Sequence, residues 1–393
     1  MPIADAAKGA RAGTQDGDCH VKDDGTTISI ASAICEGWSM KKWILAALLG
    51  AFSFAGSQLM AQDGAFTAAS AVSPQEAGFQ AYLLQVAARA RAQGISERAI
   101  QTVMAGLTYN PRVIALDRSQ PGGTPQSAAA PPDFTPYRLS HVDPARITRG
   151  RAMYRAVSGD AARIEARYGV PAPIVLAIWG AETDYGGNLG NFDLPRSLAT
   201  LAYDGRRRDL FENEFIALLK MVDNGVPRSR LNGSWAGAFG NPQFLPSAYL
   251  RVARDGDGDG YADIWTNRAD TMASIANYFR DAGWRPGQPW GVRASVPDGF
   301  DRAGNMGLLQ SPNCPRVHAR HSRWRTVGEW RQMGVIAQGP IRDDVLTTLI
   351  EPDGPGKPAF LLTGNYRVIL DYNCSNYYAL SVGWLADEIA RNP

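Results

Sequence analysis

Between residues 73 and 108, apolar positions fall at Phe79, Leu83, Val86 and Ala87, then at Ile95, Ile100, Val103 and Met104. Steps of three and four residues place each group on one face of a helix, so two helices are expected, with Ser73-Pro74 and Ser96 as their start signals. Helical spacing returns over 144–168, 173–182, 207–224, 246–254 and 270–283, separated by Gly-rich or Asp-rich segments. After Trp290 the texture changes. Short β-prone pieces at 345–350 and 366–371 alternate with turns before a last helical stretch at 377–391. The pattern predicts an α+β chain, mainly α, with a helical region over 73–290 and a smaller α+β part over 291–393.

Two stretches escape this patterning. Residues 120–133 are rich in Pro, Gly, Ser and Ala, which reads as a connection between segments. Nearer the start, Met40-Lys41-Lys42 precedes an apolar run from Trp43 to Gly56 and then Leu59-Met60-Ala61. Charged residues, a short apolar run and a small residue, in that order, predict a signal peptide over 40–61, with 1–39 as an upstream extension and 62–72 as a linker. The run is short for a membrane span, and a buried core helix is the alternative. No cysteine follows it until Cys314, so no lipid-attachment site is seen and a periplasmic mature chain without a transmembrane span is expected. Cys314 and Cys374 are the two cysteines beyond Ala61, and an even pair in an oxidising compartment is a disulfide candidate.

Composition narrows the function classes only by exclusion. With 45% hydrophobic and 20% charged residues, the 393-residue chain is an ordinary globular sequence. A net charge of +2 is too mild for a nucleic-acid groove, so no nucleic-acid partner is expected.

Chemistry concentrates in two places. An apolar helix running from Pro173 places Glu182 at its end, just before Gly186 and Gly187. Desolvation there raises a carboxyl pKa and keeps the acid protonated at neutral pH, as donation to a glycosidic oxygen requires. The same residue can equally be a structural carboxylate that caps or pairs locally. Farther on, residues 233–247 form a loop of small residues punctuated by Trp235, Phe239 and Phe244 and carrying Ser234, Asn241 and Gln243. Small residues let a polymer approach the backbone and aromatics offer sugar rings a flat apolar face, although a tight turn between helices uses the same residues.

The Glu182 segment, the Ser234 loop, Ala276-Asn277-Tyr278-Phe279 with Gly283-Trp284, and the run from Tyr372 to Ala379 stand in an order that resembles lytic murein transglycosylases of the B type. The resemblance runs from about Ser73 to Arg391. It implies a lysozyme-like catalytic core with accessory parts, the C-terminal one closing the cleft. The implied reaction cuts the β-1,4 bond between N-acetylmuramic acid and N-acetylglucosamine without water and leaves a 1,6-anhydro-muramyl end. One carboxyl group, here Glu182, then acts first as acid and afterwards as base, and no catalytic cofactor is needed.

Carried over residue by residue, Ser234 and Gln243 match substrate contacts, and Asn373 matches the position beside the muramyl N-acetyl group. Tyr137, Tyr278 and Tyr372 match cleft tyrosines, and any of these residues can instead serve packing. One departure falls at Leu210-Phe211, where some members of that family carry a tyrosine before the phenylalanine.

A last motif is acidic. Asp255, Asp257, Asp259 and Asp263 occupy positions 1, 3, 5 and 9 of an EF-hand-like loop with Gly260 at position 6, while position 12 is Thr266. The family's variant loop over 255–270 implies Asp270 as the distal carboxylate, and Tyr261 at position 7 completes the expected ligand set for a structural calcium. A metal-free acidic turn is the alternative. For the whole chain, a lysozyme-like hydrolase and a non-catalytic peptidoglycan-binding protein stand beside the leading reading. A hydrolase commonly sets a second carboxylate across the scissile bond. Asp184, two residues on, is expected to face elsewhere and to be structural.

Overall fold

The computed structural model describes residues 73–119, 133–307, 314, 317 and 320–391. The upstream extension, the signal peptide, the linker and nearly all of the 120–133 connection lie outside the described residues.

Helix starts follow their local chemistry. The Pro74–Ala92 and Glu97–Met104 helices begin after Ser73 and Ser96, whose hydroxyls accept from the Glu76 and Ala99 amides at 3.1 and 3.2 Å. Each bond satisfies an amide that the first turn leaves without a partner. The 144–168 stretch is two helices, Pro144–Ala156 and Ser158–Tyr168, because Val157 leaves helical geometry (φ −116°, ψ 16°) to bury its side chain. Residues 366–371, expected to be β-prone, lie instead in the Gly364–Tyr372 helix. Tyr366, Ile369 and Leu370 bury at helical spacing, and Thr363 caps the helix by accepting the Asn365 amide at 3.1 Å. Burial of one helical face here outweighs the β preference of Val368 and Ile369.

The Ala172–Thr183 helix is apolar all round and is accordingly covered on every side. Pro144–Ala156, Arg268–Asp281 and the last helix, Asn376–Ala390, pack against it. One core runs from Phe79 to Ile389, so the chain's final helix returns to the helical body after the sheet has been laid down.

The sheet is antiparallel and five-stranded, in the order Arg325–Thr326, Leu346–Ile350, Ala359–Leu362, Gly291–Ser295 and Ile336–Ala337. Leu361 lies opposite both Val292 and Leu349. With strand periodicity, Leu361 joins a small core around Trp330 while Phe360 and Leu362 join the main core on the other face. The fold is mainly helical with a small antiparallel part, as the patterning predicts.

Candidate active site

Glu182 is the penultimate residue of the Ala172–Thr183 helix, which stops when Asp184 turns left-handed at φ 53°, followed by Tyr185 at φ 60°. Only 3% of Glu182 is exposed. Burial pushes its carboxyl pKa up to about 8, and a hydrogen bond from Tyr378 pulls the other way. That bond runs from Tyr378 Oη to Glu182 Oε1 at 2.6 Å. Among the described residues no second carboxylate contributes to the shift. Asp184 is instead paired with Arg149 at 2.8 Å, with Arg146 at 3.8 Å.

The helix end is fixed by the 233–247 loop through Asn241, itself buried. Asn241 Oδ1 accepts from Trp179 Nε1 at 2.9 Å, and its Nδ2 donates to the Trp265 carbonyl at 3.1 Å and to Thr271 Oγ1 at 3.2 Å. Thr183 Oγ1 donates to the Asn241 carbonyl at 3.0 Å. All the polar atoms of a buried amide are thus satisfied, which makes the joint rigid. Gly180 is required here, since a Cβ at that position would collide with the Tyr185 ring.

Three of the tyrosines surround the acid. Tyr278 and Tyr372 pack ring to ring at 4.7 Å, Tyr278 donates to the Asp371 carbonyl at 3.0 Å and Tyr372 donates to the Pro242 carbonyl. Burial raises the phenol pKa of Tyr278, Tyr372 and Tyr378, and the Glu182 charge adds to each. Tyr137 adds a further electrostatic contribution at Tyr378. Its ring stacks on His141 at 3.8 Å and lies 5.6 Å from that of Tyr377. Asn373 follows Tyr372, is 2% exposed, and its Nδ2 has no hydrogen-bond partner among the described residues.

Other expected residues are engaged within their own loop. Ser234 Oγ accepts the Ala238 amide at 3.0 Å. Gln243 sits at φ 51° and its Nε2 donates to the carbonyls of Gly240 at 3.0 Å and Leu189 at 3.4 Å. Cys314 and Cys374 are joined by a disulfide, with Cα atoms 5.4 Å apart. It anchors the segment immediately after Asn373.

The acidic loop lies apart from these residues. Asp255, Asp257 and Asp259 bring carboxylate oxygens within 4.8 Å of one another. Such a set of hard oxygen donors, with no sulfur or imidazole, fits calcium. Asp270 is fully buried, and its two oxygens accept the amides of Gly256 and Asp263, each at 2.7 Å. In this arrangement Asp270 clamps both ends of the loop. Tyr261 has an exposed side chain, leaving its backbone carbonyl as the group suited to an ion.

Tyr378 is a functional residue that sequence reasoning did not single out, and Asn241 was named there only as a polar residue of its loop, with no role as a brace. Both stood inside recognised motifs. Nothing in the sequence, however, indicates which aromatic in the run from Tyr372 to Ala379 reaches Glu182 across a separation of 196 residues.

A buried carboxylic acid, protonated at neutral pH and held by a phenol among tyrosine rings, is the equipment of an enzyme that breaks a glycosidic bond by proton transfer. The chain belongs to the transglycosylase SLT domain family, whose model matches residues 78–387. It is 28% identical over 306 residues to membrane-bound lytic murein transglycosylase B of Escherichia coli K12, covering 76% of this chain and 79% of that protein. Among solved structures, SltB3 of Pseudomonas aeruginosa in complex with NAG-NAM-pentapeptide is 38% identical with a TM-score of 0.71, covering 80% of each chain. The Escherichia coli lytic transglycosylase Slt35 in complex with calcium is 25% identical with a TM-score of 0.62, over 80% of this chain and 93% of that one.

Proposed function

We propose that the chain is a lytic transglycosylase of the B type that cleaves peptidoglycan glycan strands with Glu182 as its single acid and base. The observation that carries this reading is the setting of Glu182: it is buried and bonded to Tyr378, and among the described residues no second carboxylate takes part in its shift. A pKa of about 8 leaves it protonated at neutral pH, ready to give its proton to the glycosidic oxygen as the C1–O bond breaks. The resulting carboxylate then accepts the proton of the muramyl 6-hydroxyl as that oxygen closes on C1. The proton returns to Glu182, no water is consumed, and a 1,6-anhydro end forms. SltB3 has also been solved with NAG-anhNAM-pentapeptide, a ligand carrying the anhydro end that this chemistry makes.

Tyr137, Tyr278 and Tyr372 then form the walls that hold sugar rings, and Ser234 and Gln243 shape the loop beneath them. The unpaired amide of Asn373 is a donor for the N-acetyl carbonyl of the substrate. A calcium ion in the 255–270 loop would be held by Asp255, Asp257, Asp259 and the Tyr261 carbonyl, with Asp270 as the clamp behind them, and it would stabilise the fold. A periplasmic location after removal of the 40–61 signal peptide fits the substrate. Among the described residues no helix is long and apolar enough to cross a membrane.

Mass spectrometry of digested peptidoglycan tests the reaction directly. Anhydro-muramyl ends, lighter by one water than hydrolytic ends, are expected. Reducing muramyl ends alone would instead identify a hydrolase. Binding without cleavage would identify a non-catalytic protein.

A further inference from the structure

Trp384 has two cations against its ring. The guanidinium of Arg138 sits 4.4 Å from its ring centroid and that of Arg293 4.1 Å. The three residues come from different elements: the Phe134–His141 helix, the last helix and the Gly291–Ser295 strand. Among the described residues no carboxylate lies within ion-pair distance of either guanidinium. The nearby Asp387 carboxyl accepts from Trp290 Nε1 at 3.2 Å and feels Arg293 only as one of several charges. A guanidinium held over an aromatic ring still has N–H groups to offer a planar acceptor, and among the described residues neither side chain donates a hydrogen bond. Two cations fixed in this way lose little freedom on binding an anion.

Their place relative to the acid narrows the ligand. Arg138 follows Tyr137, whose ring lies 5.6 Å from that of Tyr377, the neighbour of the Tyr378 that bonds Glu182. Trp384 stands seven residues after Tyr377, hence on the same helix face and roughly 10 Å along the axis at 1.5 Å per residue. Extended peptide covers that distance in about three residues.

Resting on the reading that the chain cleaves peptidoglycan, we propose that Arg138 and Arg293, braced by Trp384, bind a carboxylate of the acidic stem peptide carried by the muramyl residue. The pair would make the enzyme prefer peptide-bearing strands while leaving its grip on the sugars unchanged.

Calorimetric titration of Glu182→Gln protein with a disaccharide-pentapeptide, and with the same disaccharide lacking peptide, tests this. The peptide-bearing ligand is expected to bind more tightly, with an advantage that shrinks as salt is added. Adding Arg138→Gln or Arg293→Gln should cut the advantage by about ten-fold or more, as expected for a lost charged hydrogen bond, and leave the bare disaccharide unaffected. Retention of the full advantage in both variants overturns the proposal, as does equal weakening of both ligands, which marks general damage. Wild-type cleavage to anhydro ends alongside either result would leave the glycan-cleaving reading standing. If neither ligand binds the parent and wild-type protein cuts no strands, both readings fall.

Discussion

Tyr378 donates a hydrogen bond to Glu182 at 2.6 Å inside a pocket that otherwise disfavours the carboxylate. The two influences oppose each other: burial holds the proton on, and the phenol stabilises the charged form that must appear once the proton has been given away. Tyr378 therefore moderates an acid that has to act in both directions. It also fixes where the acid points.

Tyr378→Phe is expected to lower kcat by about 10- to 100-fold, since a misplaced catalytic group costs on that order. The alkaline limb of kcat/KM, expected near the Glu182 value of about 8, should move upward. A limb that moves downward would contradict donation by Tyr378.

Glu182→Gln should reduce turnover by about 100-fold or more, because an amide cannot give and retrieve the proton. Its effect on stability has a definite sign. The folded-state pKa of about 8 exceeds the ordinary 4.5, so between these values the native protein binds more protons than the unfolded chain. Stability is then lost as pH rises through that window, by up to about 1.4 kcal/mol per pH unit. The glutamine variant lacks this penalty and should gain on wild type from pH 5 to pH 8 in denaturant titrations. A constant difference across that range would show that the carboxyl is ionised in the fold.

The contrast between what the sequence disclosed and what it hid has a physical basis. An apolar helix ending in a single carboxylate is local information, and the Ala172–Thr183 helix lies within a residue of its expected bounds. The four aspartates of the acidic loop are equally local. Residues 366–371 misled because Val and Ile favour strands, and only burial against distant helices selects the Gly364–Tyr372 helix. The role of Tyr378 was hidden for the same reason: it depends on the last helix packing against the one that carries Glu182. Asp270 shows a subtler limit. The resemblance to the family's variant loop assigned it to the ion, while the use of both oxygens to clamp Gly256 and Asp263 is visible only in three dimensions.

Asn241→Leu keeps the number and branching of the side-chain heavy atoms and removes every hydrogen bond that the Asn241 side chain makes, while Thr183 Oγ1 keeps the Asn241 backbone carbonyl. Trp179 Nε1, the Trp265 carbonyl and Thr271 Oγ1 then lose the partner that Asn241 supplies. A destabilisation of about 2–4 kcal/mol is expected in urea unfolding. Turnover should also fall, because the helix end bearing Glu182 loses its brace. Wild-type stability in this variant would mean that the buried network rearranges at little cost.

Removing calcium should act at a distance from the chemistry. The 255–270 loop reaches the site through Ile264 and Trp265, whose carbonyls accept from the Asn241 backbone amide at 2.8 Å and side chain at 3.1 Å, and through Asp270 at the start of the helix that carries Tyr278. A chelator is therefore expected to lower the melting temperature and to leave the alkaline pKa of kcat/KM in place, since burial and Tyr378 rather than the loop aspartates set the Glu182 shift. Restoring calcium at 100 times its Kd should return about 3 kcal/mol. No thermal shift on adding calcium to demetallated protein would leave the loop a metal-free acidic turn.

The Cys314–Cys374 disulfide separates two effects that a single substitution usually confounds. It closes a separation of 60 residues, for which the chain-entropy model gives about 4 kcal/mol. It also ties down the residue after Asn373, whose buried amide is the unpaired donor of the site. Cys374→Ser should lower the melting temperature on the first count. On the second it should raise KM at a temperature where the variant remains folded, with kcat little changed because Glu182 and Tyr378 stand on helices that the disulfide does not join. Asn373→Ala in the intact disulfide protein should raise KM in the same way with little loss of stability. If Cys374→Ser loses stability alone, the crosslink serves the fold, and Asn373 is held by its place at the end of the Gly364–Tyr372 helix.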